Sequence, residues 1–431
     1  MAAGLLSWSD LEDLAGGHPA RAGTGRQDGP TNAQANLRLF GEPEEAVRVT
    51  LYRDHHAWCP YCQKVWLWLE ERRIPYRVRK VTMFCYGDKE GWYRRLVPSG
   101  MLPALEMDGQ LVTESDRILE VLEASFGSLG PGMHDPAVLP LRRLERQLFR
   151  AWCQWLCVRH GRAGEVEAQR QFQGWAQAME QALAARGGPF LLGESLGTAD
   201  LVFVPYVERM NASLAYYKGY LLRQEHPAID RWFRALEQRS TYLGTQSDFH
   251  THVHDLPPQM GGCHASGSPD QLQLSTRIDA GPWPILDGTP RLDGTPLNSA
   301  GADPETSAAQ PNDAATVALA RVLRHRSTLL QRNPLGAEAF DQPLRTALSN
   351  LIQCTATAPP AGTAAGLRDL RDRISVPRDM PLHAARLLRQ ALERTALLDP
   401  ADPGAQGRPL ALQHRRDQDP QPFLVHPSDL A

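Results

Sequence analysis

Residues 56–65 read HAWCPYCQKV, and this stretch decides the fold of the N-terminal half of the 431-residue chain. It follows a strand-like run from Val47 to Tyr52 and begins an amphipathic pattern that predicts a helix over residues 59–73. Pro60 suits the first helical turn because it has no amide hydrogen to leave unpaired. Cys59 then lies at the N-terminus of the helix, where backbone amides and the helix dipole favour a thiolate. The position predicts a reactive thiol.

Cys62 lies one helical turn after Cys59 and is near enough to attack a mixed disulfide formed there, so the spacing predicts thiol–disulfide chemistry. A CxxC pair can also be half of a zinc site, but the sequence has no second pair at matching spacing. A structural metal or inert thiols remain the alternatives, and we expect no metal. The other five cysteines are interpreted as core or isolated thiols: Cys85, Cys153, Cys157, Cys263 and Cys354.

The composition restricts the class of partner. With 42% hydrophobic and 22% charged residues, the chain can form two or three domains with a sizeable core. The 46 basic and 49 acidic residues form no basic stripe, so neither nucleic acid nor an anionic membrane is an expected partner. No apolar stretch is long enough to span a bilayer, and the scattered cysteines do not predict a secreted disulfide framework. We expect a cytoplasmic protein, with a plastid or another organelle left open.

The pattern after residue 47 predicts a small mixed sheet. A strand, the Cys59 helix and a second strand over residues 76–81 form a βαβ unit. Ala104 to Met107, the Asp108-Gly109 turn and Leu111-Val112 then predict a β-hairpin. Glu114-Ser115 begins a helix with apolar residues at helical spacing, which completes a ββα unit. From Leu139 to Tyr242 the pattern is helical throughout and predicts a second, all-helical domain.

Four motifs in this order resemble a cysteine-type glutathione transferase of the omega-like and glutaredoxin-2-like kind. They are CPYC, LPALEMDG, TES and GESLGTAD, and they lie within residues 45–250. The resemblance implies an α/β plus all-α protein, in which a thioredoxin-like domain precedes an all-helical domain, and usually a homodimer. The expected division is an N-terminal extension at 1–44, the thioredoxin-like glutathione-binding domain at 45–127, the all-helical domain at 139–255, a linker at 265–313, a helical extension at 314–398 and a disordered tail at 399–431.

The resemblance also implies a glutathione site. Leu102-Pro103 matches the cis-proline of the family, which would turn the Leu102 backbone toward the cysteinyl unit of glutathione, with a packing turn as the alternative. Glu114 and Ser115 would receive the γ-glutamyl end at a helix N-terminus, where a simple helix cap is the alternative. Lys89 resembles the lysine that meets the glycyl carboxylate, or it is a solvated surface lysine.

These residues predict a thiol transferase or reductase in which Cys59 is the nucleophile, Cys62 permits a dithiol route and glutathione is the co-substrate. Candidate substrates are glutathione mixed disulfides and dehydroascorbate. A transferase that conjugates hydrophobic electrophiles and a non-catalytic glutathione-binding scaffold remain the alternatives. The second-substrate pocket is expected to have aromatic walls, although each of these residues can equally be core: Phe84, Trp92, Trp152 and Trp155.

Residues 249–256 read FHTHVHDL, with three histidines in alternation. An extended segment would place His250, His252 and His254 on one side, as a metal site requires. The spacing sets no fourth ligand, so we interpret the segment as an exposed histidine-rich loop without a metal.

Overall fold

The computed structural model describes residues 4–18, 27–279 and 303–401. Its N-terminal domain is built on a five-stranded mixed sheet of order β1-β3-β2-β4-β5. β2 pairs in parallel with β3 and antiparallel with β4, and β4 and β5 form the predicted hairpin. The strands are β1 Leu37–Arg38, β2 Val49–Asp54, β3 Tyr76–Val81, β4 Ala104–Met107 and β5 Gln110–Thr113.

Helices make up the remainder of the described chain. None of the helices in the described ranges combines the length and the hydropathy that a membrane crossing requires. Their bounds are α1 Trp8–Ala15, α2 Pro60–Glu71, α3 Gly91–Leu96, α4 Ser115–Phe126, α5 Leu139–Cys157, α6 Arg162–Ala184, α7 Thr198–Lys218, α8 Leu222–Glu225, α9 Pro227–Leu236, α10 Ser240–Thr245, α11 Phe249–Met260, α12 Pro269–Asp279, α13 Ala314–Arg324, α14 Arg326–Arg332, α15 Ala337–Gln353, α16 Ala364–Arg373 and α17 Leu382–Leu397.

The predicted fold class is confirmed. The βαβ and ββα units form a thioredoxin-like sheet, and α2 and α4 pack together on it through apolar residues such as Val65 and Ile118. The all-helical domain follows, with further helices after it. Local sequence patterns suffice for this outcome because each strand and helix carries its own periodicity.

The central helix of the second domain, α7, is buried along its whole length. Asp200 fixes its start: Oδ2 accepts a hydrogen bond from the Gly197 amide at 2.9 Å, and Oδ1 accepts from the Leu191 amide at 3.0 Å and from the Trp232 indole at 2.9 Å. Burial raises the pKa of Asp200 from 3.8 to about 6, and these hydrogen bonds oppose the rise. The folded state therefore binds a proton at Asp200 more tightly than the unfolded chain does.

Replacing Asp200 by asparagine should change the pH dependence of stability. Between pH 4 and pH 6 the folded wild type holds a proton that the unfolded chain has lost, so this carboxyl makes stability fall as pH rises. The stability advantage of the wild type over Asp200→Asn should thus shrink by about 3 kcal/mol across that window. Urea unfolding of both proteins at several pH values measures the difference, and a difference independent of pH would contradict the prediction.

Residues outside the two domains form a second core. Leu11 and Ala15 of α1 pack with Phe340 and Leu388 of the C-terminal helices. The N-terminal helix thus joins the C-terminal extension, although the two are more than 300 residues apart. The expected linker at 265–313 contains α12, and the expected tail at 399–431 lies outside the described residues from position 402 onward.

The prediction of an exposed histidine-rich loop is wrong. Residues 249–260 form α11, whose first turn Asp248 caps by accepting a hydrogen bond from the Thr251 amide at 2.9 Å. His250, His252 and His254 are all buried. The apolar residues within the segment recur at helical spacing, which favours a helix over a loop. The C-terminal extension packs against this helix, and contact with so distant a part of the chain cannot be predicted from the local sequence.

Candidate active site

Cys59 lies at the junction between β2 and α2. β2 ends at Asp54, and one carboxylate oxygen of Asp54 accepts hydrogen bonds from the backbone amides of Trp58 at 2.7 Å and of Cys59 at 3.1 Å. Asp54 is completely buried, and this burial raises the pKa of its carboxyl. The hydrogen bonds fix the turn that carries Cys59, and Pro60 then begins the helix.

The two cysteines of the CPYC motif differ in access. Cys59 is 6% exposed and lines a cavity, whereas Cys62 is 1% exposed and lies behind it. Burial, together with a hydrogen bond to Cys59, raises the pKa of the Cys62 thiol well above its ordinary value. Cys62 therefore stays protonated and can donate its S–H to the sulfur of Cys59, which is the sulfur that a substrate can reach.

A buried polar network from the helical domain holds the loop before Cys59. Arg209 of α7 donates hydrogen bonds to the Trp58 carbonyl and, at 2.9 Å, to Gln63, and its guanidinium lies 4.6 Å from the centre of the Trp58 ring. The Trp58 indole donates to His252 Nδ1 at 3.1 Å, and His252 Nε2 lies 2.8 Å from Glu208. Because Nδ1 of His252 accepts a hydrogen bond, the ring proton lies on Nε2, which donates a hydrogen bond to Glu208.

Sequence reasoning missed Arg209. The available signal was a charged pair, Glu208-Arg209, within a helix that is otherwise strongly apolar, because such charges are buried only when they are paired. Trp58 and Gln63, which Arg209 contacts, lie about 150 residues earlier in the chain and could not be identified locally.

A cavity of about 600 Å³ opens beside Cys59. Its walls come from the start of α2, from the segment between β3 and β4, and from α5, α7 and α11. Residues that contribute to the lining are Trp58, Cys59, Pro60, Tyr61, Met83, Phe84, Lys89, Arg94, Met101, Leu102, Phe149, Trp152, Tyr206, Arg209, Leu256, Gln259 and Met260.

Two of the four aromatic residues expected in the pocket lie in the cavity lining. Phe84 is 66% exposed at the rim, and Trp152 lies in the wall. Trp92 is instead stacked under Arg79, 4.2 Å from the ring centre, and Trp155 is packed among aromatic residues of the helical domain. Neither residue belongs to the cavity lining, because helical spacing identifies an inward face without telling a core from a cavity.

The residues expected to bind glutathione occupy two neighbouring places. The Leu102–Pro103 peptide bond is cis, and Leu102 and Lys89 line the cavity. Lys89 donates to the Thr82 carbonyl at 3.0 Å. Ser115 begins α4 after Glu114, at the next strand–helix junction, and neither belongs to the cavity lining.

The wall contributed by α11 is unexpected. Leu256, Gln259 and Met260 line the cavity from this helix, and Gln259 donates a hydrogen bond to the sulfur of Cys85. The sequence pattern predicts a loop at the position of α11, so this part of the cavity wall is not predicted from the sequence. Arg94 of α3 is a second unpredicted lining residue.

Two family models match the chain: the N-terminal domain of glutathione S-transferases over residues 58–125, and their C-terminal domain over residues 165–235. The chain thus contains segments that match both domains of the glutathione S-transferases. The resemblance found in the sequence motifs is thereby confirmed. The matched domains end at residue 235, so the α11 wall lies beyond them.

Similar proteins cover about half of this chain. The glutathione S-transferase DHAR2 of Arabidopsis thaliana is 26% identical over 189 residues, which is 44% of this chain and 84% of that protein. Among solved structures, glutathione transferase Omega 3C of Trametes versicolor is 26% identical, with 46% of this chain and 84% of that chain covered and a TM-score of 0.41. The dehydroascorbate reductase of Chlamydomonas reinhardtii is 19% identical, with 49% and 94% covered and a TM-score of 0.38.

Proposed function

We propose that this protein is a glutathione-dependent thiol transferase that reduces disulfides through Cys59. The observation that carries the proposal is the difference between the two sulfurs: Cys59 lines the cavity, and Cys62 is buried behind it as a thiol. A sulfur that substrates reach, backed by a hydrogen-bond donor, suits a nucleophile that forms and releases a mixed disulfide.

The reaction has two exchange steps. The Cys59 thiolate attacks the glutathione sulfur of a mixed disulfide, the S–S bond breaks, and the substrate leaves as a thiolate that takes up a proton. A second glutathione thiolate then attacks the glutathione sulfur bound to Cys59, which releases Cys59 and glutathione disulfide. Cys62 supports Cys59 in the first step. Along a dithiol route, Cys62 instead passes its proton to the departing glutathione thiolate and forms a disulfide with Cys59, which two further glutathione molecules reduce with release of glutathione disulfide.

Glutathione binds, in this proposal, along the edge of the cavity that leads from Leu102 to α4. The Leu102 backbone meets the cysteinyl unit, and Lys89 meets the glycyl carboxylate from the lining. The first amides of α4, with Ser115 and Glu114, receive the γ-glutamyl end, since a helix N-terminus attracts an anion. The wide remainder of the cavity takes the second substrate, which is a small hydrophobic or disulfide compound or dehydroascorbate.

The proposal includes a homodimer in the cytoplasm. The homodimer rests on the family resemblance, and the location rests on the cysteine usage and on the absence of a long apolar stretch in the sequence. Sedimentation equilibrium tests the first part, because a dimer has twice the mass of 47.8 kDa. Fluorescent tagging in the source cell tests the second part.

Two assays on the wild type discriminate the proposed function from its alternatives. Reduction of hydroxyethyl disulfide by glutathione should be fast. Conjugation of glutathione to chlorodinitrobenzene should be slow, because the cysteine sulfur forms a disulfide with glutathione, whereas a conjugating enzyme activates the glutathione thiol. Incubation with glutathione disulfide should also add one glutathione to the protein mass. The opposite order of rates would support a conjugating transferase, and glutathione affinity without either activity would support a scaffold.

Shortening the exposed rim of the cavity should weaken binding of hydrophobic substrates. Phe84 is 66% exposed, so Phe84→Ala removes apolar contact area for the substrate and little from the folded core. We expect KM for an aromatic mixed disulfide to rise about fivefold, equivalent to about 1 kcal/mol, with kcat unchanged. Hydroxyethyl disulfide, which is small and polar, serves as the control substrate. An equal rise in KM for both substrates would contradict the assigned role.

A further inference from the structure

A group of metal-ligand side chains is buried where α11 meets α12, away from the cavity. His250 and His254 lie one helical turn apart on α11, and Asp279 ends α12. All three residues are buried, and one ligand atom from each lies within 4.8 Å of the others. Two imidazoles and a carboxylate are a donor set that zinc binds in proteins.

The distances within the group are close to those of a bound zinc ion. His254 Nε2 lies 2.8 Å from Asp279 Oδ1, and the ring centres of His250 and His254 are 4.6 Å apart. Tetrahedral zinc holds its nitrogen and oxygen ligands about 3.4 Å from one another. The His254–Asp279 pair therefore opens slightly, and the other pairs of ligand atoms, which are at most 4.8 Å apart, close by at most about 1.4 Å, which rotations of these side chains can supply.

Outer contacts hold these side chains in the way that metal ligands are usually held. Tyr216 donates a hydrogen bond to Asp279 Oδ2 at 3.0 Å, which leaves Oδ1 directed at His254. His250 Nε2 lies 3.5 Å from Asp372, and Arg371 binds both oxygens of that carboxylate at 2.6 and 2.9 Å. An imidazole oriented by a carboxylate through one ring nitrogen presents its other nitrogen to a metal.

The surroundings favour a cation beside Asp279. Arg371 already pairs with Asp372, whereas the hydrogen bonds to Asp279 come from His254 and Tyr216. A zinc ion would add positive charge next to the Asp279 carboxylate, and both imidazoles would bind it in their neutral form, which is the form in which histidine binds metals.

We propose that His250, His254 and Asp279 bind one zinc ion, which links α11 to α12 beyond the matched domains. A water molecule would complete four coordination. The site does not depend on the proposed catalytic function. It would stabilise the helix that supplies Leu256, Gln259 and Met260 to the cavity wall.

The test requires a background without the active-site thiols, because Asp54, Cys59 and Cys62 also place ligand atoms within 4.8 Å of one another. The double variant Cys59→Ser/Cys62→Ser, stripped with a chelator and dialysed against micromolar zinc sulfate, should retain about one zinc per chain by elemental analysis. Adding His254→Gln or Asp279→Asn should weaken zinc binding at least about a hundredfold. His252→Gln is the matched control: it changes a buried histidine of the same helix outside the group and should retain the ion.

Two further measurements keep the test decisive where a variant folds poorly. Tyr216→Phe removes only the outer hydrogen bond and should lower zinc affinity about tenfold. Cobalt added to the double variant should give the visible absorption of a tetrahedral site without thiolate charge-transfer bands. No zinc retained by the double variant, or equal retention by it and by the His254→Gln and Tyr216→Phe variants, would overturn the proposal.

Discussion

Cys59→Ser should lower the rate of glutathione-dependent disulfide reduction at least about a thousandfold. A serine hydroxyl is not ionised near neutral pH and forms no disulfide, so neither exchange step can take place. Hydroxyethyl disulfide reduction measures the rate. Glutathione affinity, measured by calorimetry, should remain within a few-fold of the wild type and would show that the site is intact.

Cys62→Ser is the matched control for this prediction. Serine at position 62 keeps a hydrogen-bond donor beside the Cys59 sulfur, so reduction of glutathione mixed disulfides should fall by no more than about tenfold. A substrate that requires the dithiol route should lose activity in both variants. Loss of all activity in Cys62→Ser together with an active Cys59→Ser protein would reverse the roles of the two cysteines.

The second large effect is expected on stability, from Arg389→Met. Arg389 of α17 is completely buried, pairs with Asp248 and donates to the Ile374 carbonyl at 2.5 Å. Methionine fills a similar volume but leaves the Asp248 carboxylate buried without its cation. The free energy of unfolding should fall by about 3 to 5 kcal/mol, because an uncompensated buried charge is costly. Urea unfolding followed by circular dichroism measures the change.

Two controls separate the charge effect from a general loss of packing. Arg117→Met removes a 67% exposed arginine that pairs with Glu120 at 3.1 Å, and it should cost no more than about 0.5 kcal/mol. The double variant Asp248→Asn/Arg389→Met should recover part of the loss, since the buried charge is gone. Equal effects of Arg389→Met and Arg117→Met would show that the buried pair does not hold the extension.

Local pattern alone was enough to predict the two-domain fold and the position of Cys59 at the start of a helix. The strand before CPYC, the Asp108-Gly109 turn and the helix that begins at Ser115 each carry their signal within about ten residues, and chain order then sets the sheet. A helix N-terminus always presents its amides to the residue that starts it, so the place of Cys59 followed from the same reasoning.

The tertiary structure decided which inward-facing residues meet a cavity and which meet another helix. Periodicity placed Trp152 and Trp155 on one buried face, yet only Trp152 lines the cavity. Arg209 contacts Trp58 and Arg389 contacts Asp248, each more than 100 residues away along the chain, and no local pattern encodes a contact of that kind. The histidines of α11 became buried for the same reason: their neighbours come from α7, α12 and the C-terminal extension, which only the folded chain brings together.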